Sequence, residues 1–326
     1  MTKAPAVPLS AGLAPGVLGT GSWVPERIVS NVEAVARTGG PGDWITRKTG
    51  ITERRWADPR TTTAEAAAHA ARRALQRAGI GPEQLGLIVL ATSTPDRSQP
   101  PTACAVQAEL GADSAAALDV NGVCTGFLFA LATARGMLAT GDAGSYALII
   151  GADLYSRILD RTDHRTVVLF GDGAGAAVIG PAGEEGRGEI VATRLQSHGQ
   201  QRHLISREHG EWFRMDGSGV RDFVTSEVPL AVKGFLAAQG MDGGLVRHLV
   251  AHQANGTMLD ALVPELGLAE DVTVHRTIDR YGNTASASVP LTLDQALRTG
   301  AVAPGELVLL LAFGGGMAVG TALVRG

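Results

Sequence analysis

Polar residues that close apolar runs recur at the same intervals in two parts of this chain, and no other feature constrains the fold as tightly. A run at Leu87–Leu90 ends at Ala91-Thr92, and a run at Leu249–Ala251 ends at His252. Each follows a glycine: Gly79 to Thr92 is 13 residues, and Gly240 to His252 is 12. Thr92 to Cys124 is 32 residues and His252 to Asn283 is 31, while Cys124 to Thr140 and Asn283 to Thr299 are both 16. One matched interval is chance, but three in succession point to an internal duplication. The pattern breaks at Pro181-Ala-Gly-Glu-Glu-Gly-Arg-Gly188. Two halves follow, 1–180 with the cysteine and 181–326 with the histidine and asparagine, in which Cys124 and Asn283 occupy matching points.

Each half alternates helices with strands. Thr62 and Glu65 form a capping box for a helix to Ala78, with Gly79 as its C-terminal stop. Strands read at Leu87–Leu90, at Ala147–Ile150 ending on Gly151, at Leu249–Ala251 and at Leu307–Ala312. Helices read at Phe127–Met137 and from Glu227 to Gln239. Continuous apolar strands between helices imply an α/β fold whose sheets are covered on both faces.

Composition removes several classes. A net charge of −4 argues against nucleic acid, whose binders carry a basic patch. No unbroken apolar run approaches the ~20 residues of a membrane span. The first 15 residues lack the apolar stretch of a signal peptide. Two cysteines are too few for a disulfide framework or a structural zinc site. A cytoplasmic protein without membrane association is expected.

Three side chains stand out. Cys124, in Asp119-Val-Asn-Gly-Val-Cys-Thr-Gly-Phe127, enters an Ala-rich helix, whose N-terminus stabilises a thiolate; an isolated free cysteine is otherwise most often a small buried apolar residue. Cys104, without such a turn, reads as core. His252, in Val250-Ala-His-Gln-Ala-Asn255, is placed to move protons or donate to an oxyanion, or else to satisfy a loop carbonyl. Asn283, in Tyr281-Gly-Asn-Thr-Ala-Ser286, also suits a turn or helix cap. Gly171-Asp-Gly-Ala-Gly175 resembles a dinucleotide loop, but the residues after it read as a strand rather than the helix such a loop must open. Phe313-Gly-Gly-Gly-Met317 fits a backbone that passes close to a substrate and offers an N–H to an oxyanion.

Taken in order, these motifs resemble the β-ketoacyl-[acyl carrier protein] synthase III family. Val17-Leu-Gly-Thr-Gly-Ser22 with Pro25, Trp44-Ile45 with Thr49-Gly50-Ile51, and Leu90-Ala-Thr-Ser93 belong to the match. So do the Cys124 turn, Gly171–Gly175, His252–Asn255, Gly282-Asn-Thr284 and Ala312–Gly316. The resemblance implies a five-layered αβαβα thiolase fold, a homodimer and a Cys-His-Asn site. It makes Cys124 the residue acylated by acyl-CoA, with His252 and Asn283 driving decarboxylation of a malonyl thioester. It places an oxyanion hole at the N–H groups of Cys124 and Gly315, with Asn255 as a polar neighbour. It implies no cofactor; acyl-CoA or a phosphopantetheine thioester enters as substrate.

Departures point to a specialised member from polyketide or another secondary pathway. Lys48 and His164 stand where the family's clamp on the CoA adenine, beside Trp44, commonly has arginines, and lysine does not stack as a planar guanidinium does. Pro100 replaces a phenylalanine of the acyl pocket. Thr257, with Pro264 and Glu265 beyond it, replaces the basic residues that receive an acidic carrier protein. This leaves Arg247 and His248 as the nearest basic alternatives, and a dedicated carrier or a small molecule as acceptor. Transfer of the acyl group to a hydroxyl or amine is the main rival to condensation. A papain-like protease, which shares the Cys…His…Asn order, would call for disulfides and aromatic surroundings that are missing. A non-catalytic partner subunit would not need all three side chains.

Overall fold

The computed structural model describes residues 14–39, 41–141 and 144–326; most of the N-terminal stretch discussed above lies outside them. Two five-stranded sheets carry the fold. The first is built from β1 (Pro15–Trp23), β2 (Leu87–Ala91), β3 (Ala116–Val120), β4 (Ala147–Leu154) and β5 (Asp172–Pro181), in the order β1-β5-β4-β2-β3. The second is built from β6 (Ile190–Ser197), β7 (Val246–Ala251), β8 (Thr273–Val274), β9 (Leu307–Gly314) and β10 (Ala318–Arg325), in the order β6-β10-β9-β7-β8. Every neighbouring pair also has the same sense in both sheets: β2 and β7 are parallel to both neighbours, and the remaining pairs are antiparallel. The duplication expected from the intervals is therefore real at the level of topology.

The strands are apolar throughout because both faces are buried. Leu87, Val89 and Ala91 point inward with Val308, Leu310 and Ala312, against Phe127, Leu131, Val289 and Leu293. The alternate residues Ile88 and Leu90 face outward onto α2 (Thr63–Ala78) and α3 (Thr102–Leu110). Leu307, Leu309 and Leu311 do the same under α5 (Gly217–Ala238) and α6 (Gly256–Leu262). Between the sheets lie α4 (Gly126–Thr140) and α7 (Ser288–Arg298). The result is the αβαβα layering that the resemblance implies. The segment Val123–Thr140 is long and apolar enough to cross a membrane; here it is the middle layer, apolar because it meets a sheet on each side.

Three elements differ from the sequence reading. Helix α5 begins ten residues before Glu227, because Asp216 caps it through the N–H groups of Ser218 and Gly219, and Val220, Phe223 and Val224 bury its first turns despite Pro229. Strand β4 does not stop at Gly151 but runs to Leu154. Gly151 is glycine because a Cβ there would lie 2.3 Å from the Ser286 carbonyl oxygen. Cys104, read as core, is only half-buried on α3.

The matching points of the two halves are also shifted. A one-turn 3₁₀ helix precedes each central helix, Val123–Thr125 before α4 and Ala285–Ala287 before α7. Both open on a non-glycine residue in the left-handed region, Val123 (φ 47°) and Ala285 (φ 49°). By structure, then, Cys124 corresponds to Ser286 and not to Asn283.

Candidate active site

Cys124 follows the strained Val123 and is 5% exposed. The end of β9 passes directly over it: a Cβ on Gly314 (φ 152°) would lie 2.7 Å from the Cys124 Cβ and 3.0 Å from Sγ. The Gly315 N–H and the residue's own N–H reach the sulfur. Burial pushes the thiol up to about 12, the negative charge of Asp153 adds to it, and those two N–H groups oppose it without prevailing. The helix start therefore does not leave a resting thiolate, contrary to the expectation from α4 alone, because the site is closed to water.

His252 ends β7, its N–H bound to the Leu311 carbonyl of β9 at 2.7 Å. Its Nδ1 lies 2.6 Å from Ser288 Oγ, which also accepts the Gln253 N–H, and its ring meets Phe313 edge-on at 5.5 Å. Burial lowers it to about 3, so the imidazole is neutral at physiological pH. Asn283 is fixed by its backbone, donating to Leu169 O and accepting from Gly171 N–H. Its Oδ1 accepts the Ala285 N–H at 2.9 Å, which leaves the NH₂ as the end available to a ligand. The segment that holds Asn283 rests in turn on Arg54, fully buried, which donates to Val168 O at 2.7 Å. Gly171–Gly175 belongs to this support and enters strand β5, not a helix.

Cys124, His252 and Asn283 line one cavity of about 890 Å³. Trp44, Lys48, His164 and Asn255 line it too. Asn255 is also the cap of α6, its Oδ1 accepting from Thr257 and Met258 N–H. Gly315 is buried behind the cavity and contributes through its N–H. Pro100 is not part of the cavity of its own chain: it lies exposed on the connection into α3, whose first turn is pinned by the Asp119 carboxylate at the Thr102 and Ala103 N–H groups. Arg247 and His248 do not serve the mouth either. They lie at the opposite end of β7 from His252, Arg247 paired with Asp271, and His248 buried against Glu306 and His275. Arg165, His203 and Arg214 join the lining instead.

The inner wall was not read from the sequence. Phe213 and Phe170 line the cavity, and Tyr155 stacks on Phe170 at 4.6 Å and meets Phe213 edge-on at 5.3 Å. The Ser288 partner of His252 was also missed. No periodicity joins residues 36 positions apart, although a serine opening a central helix was visible.

Residues 236–326 match the family described as 3-oxoacyl-[acyl-carrier-protein (ACP)] synthase III C terminal, and residues 118–199 match 3-oxoacyl-[acyl-carrier-protein (ACP)] synthase III. An acetoacetyl CoA synthase, NphT7, from Streptomyces sp. (strain CL190) is 52% identical over 325 residues, 95% of this chain and 98% of that protein. A beta-ketoacyl-[acyl-carrier-protein] synthase III from Rhizorhabdus wittichii is 43% identical, with 95% and 98% covered. Among solved structures, the priming beta-ketosynthase of the R1128 polyketide biosynthetic pathway superposes with TM-score 0.90 at 34% identity, over 99% of both chains. The 3-oxoacyl-[acyl-carrier-protein] synthase III of Aquifex aeolicus VF5 gives 0.90 at 36%, over 96% of this chain and 100% of that one. With such identity along nearly its whole length, the chain belongs to the 3-oxoacyl-[acyl-carrier-protein] synthase III family of acyl-transferring condensing enzymes.

Proposed function

We propose that the protein loads a short acyl group from acyl-CoA on Cys124 and condenses it with a malonyl thioester, and that this second substrate is also a CoA ester. The observation that carries the chemistry is the convergence of Cys124, His252, Asn283 and the Gly315 N–H on one cavity. In the first half-reaction the Cys124 sulfur attacks the thioester carbonyl. With the thiol raised and His252 neutral, the proton passes to the imidazole and then to the departing CoA sulfur. In the second, the malonyl carboxylate leaves as CO₂, and the electron pair forms an enolate whose oxygen accepts from the His252 Nε2–H and the Asn283 NH₂. The enolate carbon attacks the acyl carbonyl, the N–H groups of Cys124 and Gly315 hold the oxyanion, and collapse expels the cysteine thiolate.

Short acyl groups suit the Phe170–Phe213–Tyr155 wall. The acceptor reading rests on the rim and on the 52% identical relative that is named an acetoacetyl CoA synthase. Thr257 is exposed there, its hydroxyl spent on the Lys48 carbonyl and Asn255, with no charge for an acidic carrier protein. Purified protein given acetyl-CoA and malonyl-CoA should form acetoacetyl-CoA with release of CO₂, and at least about tenfold faster than with a malonyl-loaded fatty-acid carrier protein. That ratio corresponds to about 1.4 kcal/mol. Faster turnover with the carrier would overturn the acceptor assignment, and acyl-Cys124 without CO₂ release would favour simple acyl transfer.

The homodimer finds support in β3. It is the edge strand of the first sheet, of sequence Ala-Ala-Leu-Asp-Val, whereas the matching edge β8 has two residues. A five-residue apolar edge is a template for pairing with a second copy. Light scattering should give about twice the 33.6 kDa chain mass at micromolar concentration; a stable monomer would exclude this pairing.

A further inference from the structure

The duplicated fold contains a second helix start equivalent to that of Cys124, and it is not a cavity. Ser286 stands where Cys124 stands. Strands β4 and β9 have eight residues each, and by register with β2 and β7 Asp153 takes the place of Phe313. Where the second sheet sets a phenyl ring against His252, the first sets a carboxylate that is completely buried. Among the described residues no lysine or arginine forms an ion pair with it. Six groups satisfy it instead. Oδ1 accepts the Ser93 N–H (2.8 Å) and the hydroxyls of Ser93 (3.0 Å), Thr94 (3.2 Å) and Thr92 (3.3 Å). Oδ2 accepts the Ser286 N–H (3.0 Å) and hydroxyl (2.6 Å). Burying a carboxylate without a cation is unfavourable, and a neutral or apolar side chain would close the same seam.

We propose that Asp153 is a positioning residue for the condensation, clamping Ser286 so that the segment carrying Asn283 and Ser288 is held in register with Cys124. This rests on the condensing reading above. Ser286 lies three residues after Asn283 and two before Ser288, so one fixed point sets both the enolate donor and the residue that orients His252. It also holds Ala285 in its left-handed conformation, the N–H of which orients the Asn283 amide. Asp153 has a second effect, electrostatic, on the thiol. The titratable groups around Cys124 are Asp153, Tyr155 and the neutral His252, and the negative charge of Asp153 raises the thiol above what burial alone does.

These two effects separate experimentally. Asp153→Asn keeps the shape, removes the charge and turns one acceptor into a donor facing an N–H. Iodoacetamide alkylation of Cys124, followed against pH, should shift to lower pH by about one unit, the usual effect of one nearby charge, so the variant reacts faster at pH 7. Condensation should nevertheless fall by at least about tenfold, as for a displaced catalytic group. Ser286→Ala keeps the charge, so its alkylation profile should stay in place while its condensation falls. A folded Asp153→Asn with an unshifted profile or with wild-type condensation overturns the proposal. If that variant does not fold, wild-type condensation by Ser286→Ala overturns it. Failure of the underlying reading looks different: the wild-type protein itself would acylate Cys124 and release no CO₂ from malonyl-CoA.

Discussion

Replacing Asn283 with alanine is expected to leave acylation of Cys124 intact and to slow condensation by about 10²–10³-fold, the usual cost of deleting one oxyanion donor. The amide has a single free end, since its oxygen is held by the Ala285 N–H, and that end has work only once an enolate forms. His252→Ala should behave differently and lose both half-reactions, each by about 10²–10⁴-fold. A resting thiolate would have made His252 dispensable for acylation, but a thiol raised to about 12 needs a base, and the neutral imidazole shares its cavity. Intact-protein mass measured over time with acetyl-CoA reports the first half-reaction, and labelled CO₂ from malonyl-CoA reports the second. Equal loss of both in Asn283→Ala would assign Asn283 to holding the loop; normal acylation in His252→Ala would return the proton to another acceptor.

Gly314→Ala adds one methyl group and should abolish acylation. The new Cβ would lie 2.7 Å from the Cys124 Cβ and 3.0 Å from Sγ, closer than carbon and sulfur approach, in a backbone conformation that L residues rarely adopt. Neither neighbour has room to yield, because β9 is an interior strand bonded to β7 and β10, and Cys124 is fixed by the strained turn at Val123. The expected result is loss of the acyl adduct and of iodoacetamide labelling together, with a cooperative melt at a reduced temperature. Gly316→Ala, where the nearest atom is 3.6 Å away, meets no such contact and should lose much less. Normal acyl loading in Gly314→Ala would show that the β9 end does not bound the sulfur.

Much of this site was legible because its chemistry sits where the chain is punctuated. Cys124, His252 and Asn283 each end an apolar strand or open a helical turn beside glycines, and such breaks are visible locally. What the intervals got wrong is instructive. They paired Cys124 with Asn283 because both lie 16 residues before a threonine-glycine pair. The structure shows that α7 has 11 residues against 15 in α4, while Asn283 lies three residues ahead of the true counterpart, Ser286. A shorter helix and an earlier residue offset one another. Asp153, Ser288 and the aromatic wall stayed hidden for another reason: their partners are joined only by tertiary folding, 133 residues apart for Asp153 and Ser286. The environment of the thiol was hidden too, since a helix start is a local signal and exclusion of water is not.

The matching sheets imply something about descent. Cys124 comes from the first half, while the β9 end that covers it, the histidine and the asparagine come from the second; one half supplies the nucleophile and the other everything that makes it useful. A single ancestral half could not have worked alone, but two copies related by a twofold axis would have formed two identical clefts. Fusion into one gene freed the copies to diverge. One cleft kept its chemistry, and the other, now filled by Ser286 and Asp153, gave up turnover and became the brace on which the surviving cleft depends.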